Sequence, residues 1–358
     1  MSIANALQGR TLATAADLSV DEQRYLYRKT RELKEAWVSG GDLAPFRISD
    51  PDLNIYLMFL EDSTRTKESF RNASKFHDVA LNIFDPSSSS FKKHESLVDT
   101  VKMLFGYGRR SIFIMRTKME GVCRALEEQL GEYAERIGRE KPVFINAGDG
   151  RHEHPTQEFL DEFTFLEQRG WDDSHIHVAL IGDLQHGRTV HSKADGLKIF
   201  HSVRVDLVAP REISLPASYK SRMEDNGFEV REWESIEAYL DSGDISDCWY
   251  FTRLQLERMG DEIRERETEL RRAVTFQKKW LEQMPENARF YHPLPRHREK
   301  PVIPSFLDDT PLNGWDGQSV NGYFTRVVEL AMVAGKLGDD FEGIGFVPAR
   351  KKKSFITE

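Results

Sequence analysis

Apolar runs and helix-like segments alternate along this chain in two successive series. The first series consists of residues 54–60, 79–84, 111–115 and 142–145. The second series consists of residues 177–181, 205–208, 228–230, 248–251 and 289–291. Short buried strands separated by amphipathic helices are typical of parallel sheets. The pattern predicts an α/β fold of two similar domains, each a parallel sheet flanked by helices.

Longer helical patterns connect and close these domains. Apolar side chains recur at helical spacing within residues 154–168, which predicts a helix joining the two halves. Residues 320–337 predict a second long helix, and the charge-dense residues 262–280 predict an exposed one. We expect two domains, residues 1–155 together with 320–358, and residues 156–319.

The charge and cysteine content narrow the functional class. The chain has 358 residues, with 50 Lys and Arg against 59 Asp and Glu, a formal net charge of −9. This balance argues against a general nucleic-acid binder or a polybasic membrane-surface protein, but it is compatible with a local cationic site. Two cysteines, Cys123 and Cys248, are too few for a disulfide framework or a thiolate metal cluster. Because no signal-peptide pattern or membrane-spanning apolar run occurs, we expect a soluble cytoplasmic protein.

Hydroxyl and guanidinium groups follow the first predicted strand, where a helix should begin. Ser63, Thr64, Arg65 and Thr66 occupy this turn. A helix N-terminus offers free backbone N–H groups and the positive end of its dipole, and Arg65 adds a planar fork for phosphate oxygens. Taken alone, an ordinary helix cap with Arg65 in solvent also explains the segment.

Other strand ends carry polar or cationic residues as well. They are the serine-rich residues 87–90 followed by Lys93, then Arg116, His154 with Gln157, Arg188, Arg253 with Gln255, and residues 292–296. Each has a purely structural explanation in isolation, as a linker, a cap, a surface ion pair or a rigid proline turn. Open parallel sheets, however, place their ligands at the carboxyl ends of their strands. The sequence therefore predicts a cationic active site in the cleft between the domains.

These strings stand in the order found in the aspartate and ornithine carbamoyltransferases, a family that the chain resembles over residues 55–335. The matching strings are STRT at 63–66, the Lys93 loop, MR at 115–116, HPTQ at 154–157, GRT at 187–189, TRLQ at 252–255 and HPLPR at 292–296. Ornithine enzymes of the family carry a cysteine before the last Leu-Pro, where this chain has Pro293. Arg253 also resembles the arginine that binds the aspartate carboxylate. The resemblance therefore implies aspartate as the acceptor.

The resemblance implies a reaction that needs no metal and no organic cofactor. The α-amino group of L-aspartate would attack carbamoyl phosphate and give N-carbamoyl-L-aspartate and phosphate, a step of de novo pyrimidine biosynthesis. Thr66, Arg116 and His154 would stabilise the oxyanion, with His154 neutral because arginines surround it. Gln157 and the Leu294 carbonyl would orient the carbamoyl NH₂. The implied carbamoyl phosphate site comprises Ser63, Thr64, Arg65, Thr66, Arg116, His154, Gln157, Leu294 and Pro295.

The resemblance also implies an aspartate site and an assembly. The aspartate site would comprise Lys93, Arg188, Arg253 and Gln255. Ser89 and Lys93 would enter the active site of a neighbouring subunit, which implies a homotrimer, and a separate regulatory chain is left open as a partner. The chain departs from the family at His94, where a glycine is usual, so the backbone of this loop should be less free.

Two other functions stay open at this stage. One is carbamoyl transfer to another amine such as ornithine, and the other is a catalytically silent homologue retained for binding or assembly. Arg188 and Arg253 favour a dicarboxylate acceptor over the first, because planar guanidinium forks match carboxylates. Competent residues at every mapped position argue against the second.

Overall fold

The computed structural model describes residues 7–86, 96–255 and 265–345, and these form two parallel sheets. Strands β1 to β4 make the first sheet in the order β2-β1-β3-β4, and β5 to β9 make the second in the order β7-β6-β5-β8-β9. The strands are β1 Ser49–Phe59, β2 Asp78–Phe84, β3 Arg110–Thr117, β4 Val143–Asp149, β5 Ile176–Ile181, β6 Val203–Val208, β7 Glu229–Trp233, β8 Cys248–Phe251 and β9 Arg289–Tyr291. The predicted α/β class is confirmed, and a strand lies at each of the nine predicted apolar runs.

Helices flank both sheets. They are α1 Val20–Ser39, α2 Arg65–Phe76, α3 Leu97–Phe105, α4 Val122–Arg136, α5 Pro155–Gln168, α6 Arg188–Gly196, α7 Ala217–Asp225, α8 Ile236–Asp241, α9 Glu267–Val274 and α10 Trp315–Val333. Short 3₁₀ helices lie at Ala15–Asp17, Ala44–Phe46, Leu197–Ile199, Arg211–Ile213, Lys278–Gln283 and Ser305–Leu307. Helix α10 returns from the second sheet to pack against α2, α5 and α1. The last helix therefore lies with the helices of the first half of the chain.

Strand boundaries differ from the predictions where polar residues belong to a strand. Strand β1 begins at Ser49, five residues before the predicted start, and its first four residues are exposed or half-buried. Strand β7 is an edge strand that extends through Arg231 and Glu232 to Trp233. An apolar run marks only the part of a strand that is buried, so polar extensions at an edge or an end are missed.

The two C-terminal helix predictions need correction. Helix α10 begins at Trp315, not at residue 320, because its first turn contains Asp316, Gly317 and Gln318 and so lacks apolar periodicity. The predicted single helix over residues 262–280 is wrong in its described part. Helix α9 ends at Val274, and residues 275–277 break the helix before a 3₁₀ segment begins.

Helix α1 was not predicted, although its sequence carries a start signal. The Ser19 hydroxyl accepts a hydrogen bond from the Glu22 N–H, and the Glu22 carboxylate accepts one from the Ser19 N–H. This reciprocal capping box satisfies two N–H groups that a helix N-terminus otherwise leaves free. Gly40 ends the helix in the left-handed conformation that glycine adopts without strain.

Two expectations about the chain as a whole concern its cysteines and membranes. Cys123 and Cys248 are both buried free thiols, as the sequence predicts. Within the described residues, no helix is both long enough and apolar enough to cross a membrane.

Candidate active site

A cleft of about 1130 Å³ lies where the carboxyl ends of the two sheets face each other. Its lining contains every predicted site residue that the structure describes, namely Ser63, Thr64, Arg65, Thr66, Arg116, His154, Gln157, Arg188, Arg253, Gln255, Leu294 and Pro295. Ser89 and Lys93 lie outside the described residues. Residues as far apart in sequence as Ser63 and Pro295 therefore lie together in one cleft at the strand ends.

The start of helix α2 forms one wall of the cleft. Ser63 and Thr64 directly precede the helix, and Thr66 in its first turn is buried. The Arg65 Nε–H is buried without a hydrogen-bond partner in the described part of the chain, and burial lowers the pKa of its guanidinium. Free backbone N–H groups, hydroxyls and an unsatisfied guanidinium donor are the groups that an anion such as phosphate requires.

His154 lies at the N-terminus of helix α5, deep in the cleft. Its Nε2 is 3.5 Å from the Thr66 hydroxyl, and its Nδ1 is 3.4 Å from the Thr156 hydroxyl. Its pKa lies well below the usual value, first because the ring is fully buried and then because Arg116, Arg188 and Arg326 are near. The predicted direction is supported, but burial rather than the arginines is the larger cause. The ring is neutral and can donate one hydrogen bond.

Arg116 of strand β3 and Arg188 at the start of helix α6 both lie against Gly148. Arg116 Nη1 donates to the Ala147 carbonyl at 3.0 Å, and Arg188 Nη1 donates to the Gly150 carbonyl at 3.2 Å. A Cβ at Gly148 would lie 2.9 Å from Arg188 Cζ and 3.1 Å from Arg116 Nη1. Only glycine leaves room for both guanidinium groups here, and its φ of +111° also disfavours other residues.

Arg188 also pairs with a carboxylate that the sequence reasoning did not single out. Its Nη1 is 3.3 Å from Glu61 Oε2, and both side chains are nearly buried. Glu61 lies two residues after strand β1 ends at Phe59, so its position at a strand end was the signal that could have identified it. In this structure, Glu61 occupies part of the hydrogen-bonding capacity predicted for a ligand carboxylate.

Gln255 is held beside the cleft by Asp183 and His186, a second pair of residues that was not predicted. The Asp183 carboxylate accepts hydrogen bonds from the Gln255 N–H at 3.2 Å and lies 3.0 Å from His186 Nδ1. Gln255 Nε2 donates to the His186 carbonyl at 2.9 Å. The side-chain NH₂ of Gln255 is therefore directed into the turn, which leaves its oxygen as the group available to the cleft.

The proline loop after strand β9 closes the cleft. Leu294 has a φ of +53°, which is strained for a branched residue, and its peptide bond to Pro295 is cis. His292 Nδ1 accepts the Leu294 N–H at 2.7 Å, and Gln318 Oε1 accepts the His292 N–H at 2.8 Å. Full burial, together with Arg296, Arg65 and Arg253, lowers the pKa of His292 to about 3. The hydrogen bond from its N–H to His292 thus helps to hold Leu294 in the left-handed region, which a branched residue does not favour.

The described residues that line the cleft carry a surplus of positive charge. The cations are Arg65, Arg116, Lys118, Arg151, Arg188, Arg253 and Arg296, and the carboxylates are Glu61, Asp62 and Glu120. A cleft lined by one sign of charge attracts ligands of the opposite sign. No group of three or more His, Cys, Asp or Glu side chains among the described residues is arranged to hold a metal ion.

Two family models match the chain in succession. The model described as aspartate/ornithine carbamoyltransferase, carbamoyl-P binding domain, matches residues 10–167. The model described as aspartate/ornithine carbamoyltransferase, Asp/Orn binding domain, matches residues 174–326.

The match covers about two thirds of some similar proteins and most of the length of others. The chain is 59% identical to the protein PyrBI of Thermotoga maritima, over 93% of this chain and 64% of that protein. It is 58% identical to the protein PyrBI of Treponema denticola, again over 64% of that protein. The chain therefore spans less than two thirds of these two relatives. It is 34% identical to the aspartate carbamoyltransferase catalytic subunit of Picrophilus torridus, over 78% of this chain and 84% of that subunit.

Solved structures of similar shape are also enzymes of this kind. Aspartate transcarbamoylase from Trypanosoma cruzi, in complex with N-(phosphonacetyl)-L-aspartic acid, has a TM-score of 0.78 at 28% identity, covering 92% of this chain and 97% of that chain. The catalytic subunit of Methanocaldococcus jannaschii aspartate transcarbamoylase has a TM-score of 0.74 at 29% identity, covering 90% of this chain and 97% of that chain.

Proposed function

Because the chain belongs to the aspartate/ornithine carbamoyltransferase family, we propose that it transfers the carbamoyl group of carbamoyl phosphate to the α-amino group of L-aspartate. The products are N-carbamoyl-L-aspartate and phosphate, as in de novo pyrimidine synthesis. The observation that carries the proposal is the convergence of twelve predicted side chains on one cationic cleft. Both substrates are anions, and the cleft offers a surplus of guanidinium groups.

The phosphate of carbamoyl phosphate would bind at the start of helix α2. Ser63, Thr64 and Thr66 supply hydroxyls, and Arg65 supplies the buried Nε–H that lacks a partner in the described residues. A phosphate oxygen would satisfy this donor. Because hydrogen bonds between ions are stronger than those between neutral groups, this wall would contribute much of the affinity.

The carbonyl carbon would react beside Thr66, Arg116 and His154. The neutral amine attacks the carbon, and the carbonyl oxygen carries negative charge in the tetrahedral intermediate. The C–O bond to phosphate then breaks, and the phosphate leaves with the proton that the amine nitrogen gives up. Arg116 and the neutral His154 would donate hydrogen bonds to that oxygen. A neutral imidazole suits this role because it can donate without adding repulsion to the surrounding arginines.

Arg188 and Arg253 would bind the two carboxylates of aspartate. Arg188 is paired with Glu61 in this structure, so aspartate would have to share or displace that contact. Gln255 presents its oxygen to the cleft, and it would therefore accept a hydrogen bond from the amine more readily than donate one to a carboxylate.

The test is an assay of the purified chain with carbamoyl phosphate and either L-aspartate or L-ornithine, with the carbamoylated product quantified by mass spectrometry. The proposal predicts N-carbamoyl-L-aspartate and little citrulline. Citrulline as the main product would refute aspartate as the acceptor and show that the chain carbamoylates ornithine. Absence of both products, with a folded protein that binds carbamoyl phosphate, would favour the silent homologue.

The domain division predicted from the sequence is part of this proposal. Residues 1–155 with residues 320–358 would bind carbamoyl phosphate, and residues 156–319 would bind aspartate. Its support is the separate sheet in each half and the packing of α10, which begins at Trp315, against α1, α2 and α5.

We also propose the homotrimer and the cytoplasmic location. An apolar groove of about 830 Å³ between α2 and α10 shares Arg65, Gln157 and Leu294 with the cleft. Trp37 and Val320 on its lining are 48% and 58% exposed, as expected for a surface that a second copy covers.

Mixing two inactive variants tests this assembly. If Lys93 acts in the site of a neighbouring chain, Arg65→Ala and Lys93→Ala chains dissociated and reassociated together should form some sites with both native residues. Activity should reappear in the mixture and not in either variant alone. No recovery in mixed oligomers confirmed by mass would contradict a shared site.

A further inference from the structure

A fully buried ionic cluster lies behind the cleft, and no step of the proposed reaction uses it. Lys193 of helix α6 points its ammonium at three carboxylates of helix α5, those of Glu158, Asp161 and Glu162, at 3.0, 3.3 and 3.5 Å. All four side chains have no exposed surface. We call these four residues the Lys193 cluster. Gly196 makes room for it, because a Cβ there would lie 2.1 Å from Glu158 Oε1.

Buried charges of this kind seldom stabilise a fold by themselves. Taking ions out of water costs more than their attraction returns unless the geometry and hydrogen bonds are good, and apolar residues often serve as well. The cluster is therefore weak evidence for stability. It calls for an explanation in terms of what its members hold in place.

Asp161 differs from the other two carboxylates because it also accepts hydrogen bonds from Gln157, which lines the cleft, and from Gln318. Its Oδ2 faces Lys193, while its Oδ1 accepts hydrogen bonds from Gln157 Nε2 at 2.8 Å and Gln318 Nε2 at 2.6 Å. Among the described residues, neither Glu158 nor Glu162 forms a side-chain hydrogen bond with Gln157 or Gln318, whose NH₂ groups both donate to Asp161. Asp161 is thus the member that links the cluster to the site.

The hydrogen bonds to Asp161 fix which end of each glutamine amide faces away from the cluster. Because Gln157 commits its NH₂ to Asp161, its Oε1 is left as the acceptor for a ligand. Because Gln318 commits its NH₂ to the same oxygen, its Oε1 accepts the His292 N–H, and His292 in turn accepts the N–H of Leu294. The side chain of Gln157 and the carbonyl of Leu294 are the two groups expected to accept hydrogen bonds from the carbamoyl NH₂.

We propose that Asp161, oriented by Lys193, is a positioning residue that makes the site recognise the carbamoyl NH₂. The Lys193 ammonium fixes which way the carboxylate faces, and the carboxylate fixes which end of each glutamine amide faces outward. Two acceptors are thereby presented to a ligand group that has two hydrogens to donate. The proposal deepens the proposed function and rests on it.

The substitution Asp161→Asn tests this orientation with little change in shape. Because the Lys193 ammonium can only donate hydrogen bonds, it would hold the oxygen of the new amide, and the amide would turn its NH₂ toward the two glutamines. Gln157 would then turn its Oε1 toward the amide at position 161 and its NH₂ toward the ligand. The NH₂ of Gln157 and the carbamoyl NH₂ would face each other, and neither could accept a hydrogen bond. Recognition of the carbamoyl NH₂ should fail, while the phosphate wall at α2 is untouched.

The readout is the binding of two ligands by calorimetry, carbamoyl phosphate and acetyl phosphate, which has a methyl group where the other has NH₂. In Asp161→Asn we expect the affinity for carbamoyl phosphate to fall about tenfold or more, since hydrogen bonds are lost and donors are left unsatisfied. The affinity for acetyl phosphate should change about twofold or less, because its methyl group makes no hydrogen bond there. An unchanged ratio between the two ligands would overturn the proposal.

Glu162→Gln is the matched control. Glu162 contacts the same ammonium but neither glutamine, so the ratio of the two affinities should stay that of the parent. If Glu162→Gln changed the ratio as much as Asp161→Asn, a general effect of the cluster would explain both results and the positioning role would be wrong.

A double variant separates positioning from stability. In Asp161→Asn with Lys193→Met, no ammonium dictates how the new amide faces, so its oxygen can turn back to the glutamines. Discrimination of carbamoyl from acetyl phosphate should partly return, although the double variant has lost a buried ammonium group as well as the carboxylate charge. A role in stability alone predicts that the double variant is no better than the single one.

A further variant covers the case in which Asp161→Asn does not fold. Gln318→Met removes the hydrogen bonds of Gln318 to Asp161 and to His292 but keeps the one between Gln157 and Asp161, so it should lower the ratio of the two affinities by a smaller factor. A folded Gln318→Met with an unchanged ratio would contradict the proposal. Turnover by the parent chain separates this inference from the proposed function. A parent that does not carbamoylate aspartate refutes the function, whereas an active parent whose Asp161→Asn variant keeps its discrimination refutes only the inference.

Discussion

Helix α5 contributes to two charged regions of opposite character. Its N-terminus brings His154 and Gln157 to the cleft, where cations outnumber carboxylates among the described lining residues. One turn further on, Asp161 and its neighbours enter the Lys193 cluster, where one cation meets three carboxylates. The cleft is open and positive, and the cluster is closed and acidic.

The two regions resolve their charge surplus in different ways. In the cleft, ligand anions can supply the missing negative charge, so the surplus becomes binding energy. The cluster has no exposed surface through which a ligand could enter. Burial raises the pKa values of Glu158 and Glu162, so bound protons can neutralise part of its negative charge. A charge surplus that faces a cleft therefore selects ligands, whereas a buried charge surplus orients hydrogen bonds.

Loss of an arginine on the cleft side should have the largest effect. We expect Arg116→Ala to reduce kcat about 10²- to 10³-fold, because a donor to the developing oxyanion is removed. Arg211→Ala is the control, since this arginine is 88% exposed in its pair with Glu234 and should leave the rate nearly unchanged. Steady-state rates that fall equally in both variants would refute the difference between cleft and surface cations.

On the buried side, Glu329→Gln should increase stability at neutral pH. Burial raises the pKa of this fully buried carboxyl to about 8, although Arg326 lowers it. The folded chain therefore keeps a proton that the unfolded chain releases above its lower pKa, and stability falls as pH rises from 4.5 to 8. At pH 7 the variant should gain about 3 kcal/mol in the free energy of unfolding. Urea unfolding at pH 7 and pH 5 measures it, and an equal gain at both would contradict the titration.

His292 should limit stability in acid. Its pKa of about 3 in the folded chain lies below the unfolded value, so the unfolded state binds the extra proton and stability falls as pH drops below 6.5. His292→Asn keeps an oxygen to accept the Leu294 N–H but cannot titrate. Between pH 6.5 and 4.5 the parent should lose about 2.5 kcal/mol more than the variant. Parallel losses in unfolding experiments would show that His292 is not responsible.

A smaller effect is expected from crowding the two arginines that meet at Gly148. Gly148→Ala places a methyl group against Arg188 and Arg116, and kcat/KM should fall about tenfold, roughly 1.4 kcal/mol. Gly138→Ala is the matched control, because Gly138 also has a positive φ but a Cβ there would meet no atom within 4 Å. Both variants carry backbone strain, so a loss of activity in both would assign the effect to strain.

The strand-end residues were predictable because parallel strands bring their carboxyl ends to one edge. From this geometry and the order of the short motifs, Arg65, Arg116 and Arg253 were expected at one cleft, and the structure places all three there. Glu61 and His186 lie at the same edge but were not singled out. The sequence does not show that Glu61 pairs with Arg188, and only this contact gives the carboxylate a role in the cationic cleft.

The interior of helix α5 could not be predicted in the same way. Its apolar spacing predicted a helix that joins the two halves of the chain, but it did not predict that Glu158, Asp161 and Glu162 are completely buried. Their counter-charge, Lys193, lies 32 residues beyond Asp161 in sequence. Local periodicity reports which residues prefer burial, and it cannot report a distant ion that makes burial of carboxylates tolerable.

The most direct test of the cleft as the carbamoyltransferase site is a crystal structure of this chain with N-(phosphonacetyl)-L-aspartate. We expect phosphonate oxygens within about 3 Å of Ser63, Thr64 and Arg65, and carboxylates at Arg188 and Arg253. Gln157 should keep its hydrogen bond to Asp161. A ligand bound outside the cleft, or one whose carboxylates face solvent while both arginines keep other partners, would contradict the account.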